Sequence, residues 1–231
     1  FEREINYLRI SVTDRCNLRC VYCMPAEGFI YKLQNQILSF EQIYTIAKIA
    51  AGLGICKVRI TGGEPLVRED LPHLIEKLSS LKTLRDISLT TNGQYLSDYA
   101  YCLKRAGLNR VNISLDSLDP DKFKEITRGG DLGKVFKGIE SAFRAGLMPI
   151  KINVVLMKGF NDDEILDFAR LTKTKPLQVN FIEHMPTNMD IVSNNDIFLS
   201  CVEAKNICSK LGRLIPMEDG LNKTAKVFKI E

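Results

Sequence analysis

Tyr7-Leu8-Arg9-Ile10-Ser11-Val12-Thr13-Asp14-Arg15-Cys16-Asn17-Leu18-Arg19-Cys20-Val21-Tyr22-Cys23 is the stretch on which the reading of the whole chain turns. Its first seven residues alternate, with Leu8, Ile10 and Val12 apolar and Arg9, Ser11 and Thr13 polar. Period two marks a strand with two unlike faces. The eight residues from Cys16 carry three thiols directly behind that strand.

Further strands are predicted at 57–61, 87–91, 110–115, 150–156 and 178–183, and the alternation recurs in several. Val58 and Ile60 face away from Arg59 and Thr61. Val111, Ile113 and Leu115 are set against Asn112, Ser114 and Asp116, and Ile152 and Val154 against Lys151 and Asn153.

Helical patterns separate these strands. Ser39-Phe40-Glu41-Gln42 reads as a capping box, stapled by Leu38 and Ile43, before a stripe of Ile43, Ile46, Ala47 and Ala50. Asp70 is read as the cap of a helix carrying Leu71, Leu74, Ile75 and Leu78, and Ser97 as the opening of one that stops at Gly107. Asp119-Pro120 starts a short helix, with proline at its first position. Val135, Ile139, Ala142 and Phe143 lie on a helix ending at Gly146. Asn161 and Glu164 read as caps before Ile165, Phe168 and Ala169.

Strand–helix alternation predicts a parallel sheet with right-handed connections. Six such units make an α/β chain with an incomplete (β/α)6 TIM-type barrel, against the alternatives of a doubly wound sheet or strands exposed on one side. The faces favour the barrel. Parallel strands covered on both sides read as nearly continuous apolar runs, whereas a polar face fits an open barrel with a wet or ligand-filled lumen. Residues 1–190 are assigned to this barrel. An Asn-, Asp- and Pro-rich loop at 186–196, a helix near 198–211 and a strand near 225–230 follow, so 191–231 is read as the start of a C-terminal extension.

The composition excludes several classes. In 231 residues, 45% are hydrophobic and 26% charged, as in an ordinary globular protein. A formal charge of +4, with Lys and Arg scattered, gives no nucleic-acid signature. No apolar run approaches the roughly 18 residues of a membrane span, and the first residues lack a signal-peptide pattern. Seven cysteines, three of them clustered, suit thiols kept reduced for metal in the cytoplasm rather than a disulfide framework.

Cys16, Cys20 and Cys23 give C-x3-C-x2-C at the C-terminal end of a barrel strand, where active sites collect. A cubane cluster usually takes four thiolates, so three leave one iron open to a small molecule. The alternatives are a zinc site completed by His184, or three unrelated thiols.

This motif resembles the signature of the radical S-adenosylmethionine (SAM) superfamily. The string from Asp14 through Met24-Pro25-Ala26-Glu27-Gly28 is similar to one branch of it, the GTP 3′,8-cyclase family. So are Arg59-Ile60-Thr61-Gly62-Gly63-Glu64-Pro65-Leu66-Val67-Arg68, Thr90-Thr91-Asn92-Gly93, Asn112-Ile113-Ser114-Leu115-Asp116 and Phe181-Ile182-Glu183-His184-Met185-Pro186.

The resemblance implies a [4Fe–4S] cluster on Cys16, Cys20 and Cys23, with SAM chelating the open iron. It implies a lyase that makes a 5′-deoxyadenosyl radical and converts GTP to (8S)-3′,8-cyclo-7,8-dihydroguanosine 5′-triphosphate in molybdenum cofactor biosynthesis. It carries SAM contacts to Tyr22, Gly63, Ser114 and Met185, and GTP contacts to Arg9, Arg59, Thr90 and Lys151. It also implies a reducing electron donor and a downstream cyclic pyranopterin monophosphate synthase, and leaves a homodimer open.

The residues themselves fit that picture. Gly62-Gly63 would let backbone approach a ligand, or would be a plain turn. Arg9, Arg59 and Lys151 share one strand parity and suit a triphosphate, unless they pair internally with Asp116 or Glu64. One departure stands out. The family holds a second [4Fe–4S] cluster on three further cysteines, yet no C-x-x-C follows Cys23 here. The chain therefore reads either as a fragment or as a variant without that cluster. A radical SAM enzyme on another phosphorylated or peptide substrate, and a non-catalytic iron–sulfur module, are the competing readings.

Overall fold

The computed structural model describes residues 5–185, 197–217 and 225–231. The N-terminal four residues, the predicted loop at 186–196 and residues 218–224 lie outside it.

Six strands form one parallel sheet in chain order: β1 Tyr7–Ser11, β2 Lys57–Thr61, β3 Asp86–Thr91, β4 Arg110–Ser114, β5 Ile150–Leu156 and β6 Leu177–Glu183. A doubly wound sheet would reverse its strand order partway; this one never does. The result is the open (β/α)6 barrel that the alternation predicts, with β1 and β6 as its two edges.

The apolar parity packs outward against helices. Ile10, Val58, Ile60, Leu89, Val111, Ile113, Ile152 and Val154 are buried in one core with residues such as Leu74, Leu103, Val135 and Phe168. These last come from α2 Leu71–Ser79, α3 Leu96–Arg105, α5 Leu132–Ala145 and α6 Ile165–Thr174. The polar parity is left to line the lumen.

Most helix starts follow their local chemistry. In α1, Phe40–Gly52, Ser39 Oγ accepts from Gln42 N–H at 3.2 Å while Gln42 Oε1 accepts from Ser39 N–H at 2.8 Å, the reciprocal box. Asp119 Oδ1 accepts from the N–H groups of Asp121 and Lys122, both at 2.9 Å, at the start of α4 Pro120–Thr127. Gly146 closes α5 at φ 73°, a left-handed conformation that glycine adopts without Cβ strain.

Four expectations need correction. The buried stripe of α1 is Ile43, Ala47 and Ala51; Ile46 is 45% exposed because the barrel meets the helix along an i, i+4, i+8 line. Asp70 flanks α2 in the left-handed region (φ 56°) and makes no side-chain cap. Ser97 lies inside α3, which begins at Leu96, and its hydroxyl donates to Asp98. Asn161 and Glu164 make no side-chain cap for α6, because their side chains bond to the loop after β4 instead.

Beyond the barrel, Leu199 and, on α7 Cys201–Cys208, Ala204 and Cys208 pack with Leu156, Ile165 and Ala169 in a second, smaller core. The predicted last strand is β8, Val227–Ile230. It pairs antiparallel with β7, Leu214–Met217, a strand whose short run gave no alternation to read.

Candidate active site

The register stacks the inward residues of the sheet in rows. Tyr7, Lys57 and Asp86 lie level at the N-terminal end. Next come Arg9, Arg59, Ser88 and Arg110. Thr90, Asn112, Lys151 and Gln178 form the following row, and Ser114, Asn153 and Asn180 the one above it. Successive rows rise by about 6.6 Å, two residues of parallel strand. Cations thus gather deep in the lumen, and the cysteine-bearing loop sits at the opposite, C-terminal end.

Three attachments hold that loop. Gly63 N–H donates to Thr13 O and Glu64 N–H to Arg15 O, both at 2.8 Å. The approach is so close that a Cβ on Gly63 would lie 2.3 Å from Arg15 O, and one on Gly62 2.7 Å from Thr13 O. The glycines therefore allow two loops to stack, a reason distinct from ligand approach. On the other side, Arg19 N–H and Val21 N–H donate to Thr127 O and Ile126 O at the end of α4, while Arg128 Nη1 donates to Arg19 O and Met24 O.

The third attachment is side chain to side chain. Tyr22 Oη donates to Asp116 Oδ2 at 2.6 Å, and Val155 N–H donates to Asp116 Oδ1 at 2.8 Å. Asp116 is only 2% exposed. Burial raises its pKa to about 6, against the lowering effect of its two donors. Burial also pushes the Tyr22 phenol well up, with Asp116 adding to it.

Glu64 is equally enclosed. Leu66 N–H and the Thr91 hydroxyl donate to Oε1 at 3.0 and 2.8 Å, and Asn92 N–H donates to Oε2 at 2.6 Å. Burial raises its pKa while these donors lower it. Both carboxylates thus bond to N–H and O–H groups of strands and loops, rather than to the arginines as internal pairing would require. Among the described residues no ion pair reaches Arg9 or Arg59.

All three thiols are free. Burial raises the pKa of each; Asp116 adds to the effect at Cys20 and Glu64 at Cys16. Positive charge is needed to hold them as thiolates, and iron supplies it. Cys16 Sγ accepts from Leu18 N–H at 3.4 Å and faces Asn92 Nδ2 at 3.9 Å, so N–H donors already point at the sulfur. Among the described residues no three His, Cys, Asp or Glu side chains gather tightly enough for a single metal ion. A cubane is held by Cys thiolates. Three free thiols, with N–H groups pointing at Cys16 Sγ, are a donor set of the chemistry that group takes.

Ser114 is half-buried on the inner face below the cysteine loop, Gly63 lies against it, and Met185 follows β6, 72% exposed. His184 is buried, which lowers its pKa, while His73 is exposed on α2. Sequence reasoning treated Asp116 only as a candidate ion-pair partner and missed Asn92 and Arg128. Asp116 had a signal, since it continues the inward parity of Asn112 and Ser114. Arg128 had none, because its role depends on where α4 ends.

Residues 10–172, well over half the chain, match the Radical SAM superfamily. Among solved structures, Streptococcus suis SuiB bound to S-adenosylmethionine aligns at TM-score 0.66, with 19% identity over 89% of this chain and 47% of that one. Methylornithine synthase (PylB) aligns at 0.62, with 16% identity over 87% and 61%. At such identities the likeness establishes the fold. Fold and sequence together define a radical SAM protein, with the [4Fe–4S] cluster and SAM that this class implies.

The GTP 3′,8-cyclase of Alkaliphilus oremlandii is 52% identical over the whole chain, and that of Petrotoga mobilis 48%, the chain spanning 71% of each relative. The GTP 3′,8-cyclase of Moorella thermoacetica is 51% identical over 94% of the chain. The chain belongs to the GTP 3′,8-cyclase family. Among the described residues no helix is long and apolar enough to cross a membrane.

Proposed function

We propose that the chain cyclises GTP to (8S)-3′,8-cyclo-7,8-dihydroguanosine 5′-triphosphate, the step its relatives are named for, in molybdenum cofactor biosynthesis. The observation that carries this reading is the ordering along the lumen: thiols at the mouth, rows of hydroxyls and amides with Lys151 below, and Arg9, Arg59, Arg110 and Lys57 in the two deepest rows. A nucleoside triphosphate has the same polarity, with its reacting ribose between base and phosphates.

Cys16, Cys20 and Cys23 would hold the cluster. Tyr22, Gly63, Ser114 and Met185 would hold SAM, and Arg9, Arg59, Thr90 and Lys151 would hold GTP. When bound, cluster and SAM would supply the radical chemistry that joining the ribose of GTP to its guanine requires. The protein's own work is to orient and to shield. Asp116 fixes the Tyr22 side chain and Glu64 ties the loops after β2 and β3, so the mouth is a rigid rim. The inward arginines offer forked donors to phosphate oxygens.

On this reading 1–190 is the catalytic barrel and 191–231 lies in a C-terminal extension. The second cluster of the family has no C-x-x-C in this sequence after Cys23. The electron donor, the downstream synthase, a homodimeric state and a cytoplasmic site of action belong to the same reading.

The test is anaerobic reconstitution followed by reductant, SAM and GTP. Iron, sulfide and 5′-deoxyadenosine are expected in wild type and absent in Cys20→Ala. Wild-type protein that binds iron yet never yields 5′-deoxyadenosine would overturn the radical reading.

A further inference from the structure

Four buried side-chain polar atoms lack a hydrogen-bond partner among the described residues: Tyr7 Oη, Arg59 Nε, Thr90 Oγ1 and Arg110 Nη1. An orphaned polar atom bears its desolvation cost uncompensated, and folds tolerate few without a reason. All four belong to the inward parity of β1 to β4, and three lie in the two deepest rows. Arg59 and Thr90 already belong to the proposed GTP site. Tyr7 and Arg110 do not.

Arg110 stands level with Arg9 and Arg59, separated from Arg59 by the buried Ser88. Asp86 grips Arg110 as a fork, with Nε 3.0 and 3.2 Å from the two carboxylate oxygens and Nη2 2.7 Å from Oδ2. That fork fixes the guanidinium plane and leaves Nη1 as the unused corner. Tyr7 lies one row deeper, with the Arg59 guanidinium carbon 5.3 Å from its ring centroid. Burial raises the Tyr7 phenol, which keeps it a neutral donor. The two deepest rows carry Lys57, Arg9, Arg59 and Arg110 against Asp86 alone.

We propose that Arg110, oriented by Asp86, and Tyr7 form the floor of the lumen and bind the terminal phosphate of the substrate, selecting triphosphates over shorter chains. The floor lies at the far end of the strands from the cysteine loop, so only the last phosphate of a chain hanging from a ribose near the mouth extends to it. An entering phosphate parts Arg59 from the Tyr7 ring and gives Tyr7 Oη and Arg110 Nη1 the acceptor each lacks. The inference rests on the GTP reading and adds to it the device that measures chain length.

The experiment is calorimetry on the anaerobically reconstituted chain with GTP, GDP, GMP, inorganic tripolyphosphate and pyrophosphate. The variants are Tyr7→Phe, Arg110→Gln and Asp86→Asn/Arg110→Gln, the last leaving no buried carboxylate unpaired. A charge-assisted bond contributes about 1.5–3 kcal/mol, so loss of Arg110 should weaken GTP and tripolyphosphate roughly 10- to 150-fold. GMP and GDP, which stop short of the floor, should stay within about threefold, whereas untethered pyrophosphate can settle on the floor and should weaken as tripolyphosphate does. Tyr7→Phe, which removes one neutral hydroxyl, should cost the triphosphates about 3- to 10-fold. Equal losses for GTP and GMP, or no loss in either the double variant or Tyr7→Phe, would overturn the inference. Wild type that binds tripolyphosphate but not GTP, with the variants losing that binding, would sink the GTP reading and support the floor.

Discussion

Asp116 and Gly63 show how single residues set the rim of the site. A carboxyl whose pKa rises from 3.8 to about 6 on folding takes up protons in the native state that the unfolded chain does not hold. Its contribution to stability is therefore fullest below about pH 4 and declines as pH rises towards 6, by up to roughly 3 kcal/mol. Asp116→Asn cannot titrate, so denaturant melts of the apo-protein between pH 4 and 6.5 should lack the part of the slope that wild type shows. Tyr22→Phe removes one of the two donors to that carboxylate. The pKa of Asp116 should rise further, moving the inflection to higher pH in the same melts. Gly63→Ala puts a methyl 2.3 Å from a backbone oxygen and forces two loops apart. Its iron content after reconstitution should fall well below wild type, even where circular dichroism shows the barrel intact.

Elements begin and end where local chemistry says they should, provided a side chain is not needed elsewhere. Asp119 caps α4 with two N–H bonds, and α4 in turn supplies Ile126 O and Thr127 O to the cysteine loop. Asp119→Ala should cost about 1 kcal/mol, lowering Tm by roughly 2–4 °C in a chain of this size. Because the helix end anchors the loop, limited proteolysis between Arg15 and Arg19 should accelerate as well. Asn161 and Glu164 show the opposite case. Glu164 accepts from Ser117 Oγ at 2.8 Å and from Leu118 N–H, and Asn161 Nδ2 donates to Asp116 O and Val155 O. Residues that look like caps in sequence are here straps between the loops after β4 and β5.

The whole molecule is a one-layer wall of helices around an open polar lumen, so its stability rests on the outward strand face. Leu74, fully buried between sheet and helices, is a sensitive probe: Leu74→Ala should cost about 2–5 kcal/mol in chemical denaturation. Arg59→Ala, on the other face of the same sheet, should leave that stability nearly unchanged while weakening triphosphate binding. The sequence by itself determined the six strands, their inward and outward faces, most helix boundaries and the spacing of three thiols. Each of these is a property of neighbours one to four residues apart, which is the range over which strand alternation, capping and motif spacing act. Only the tertiary structure decided which face of α1 meets the barrel, leaving Ile46 outside, and that Gly63 lies against the backbone of Arg15. It alone joined Tyr22 to Asp116 across 94 residues and left Tyr7 Oη and Arg110 Nη1 without a hydrogen-bond partner among the described residues. The physical reason is that a buried polar group is defined by what closes around it. That closure depends on how distant loops and strands meet, which no local pattern records.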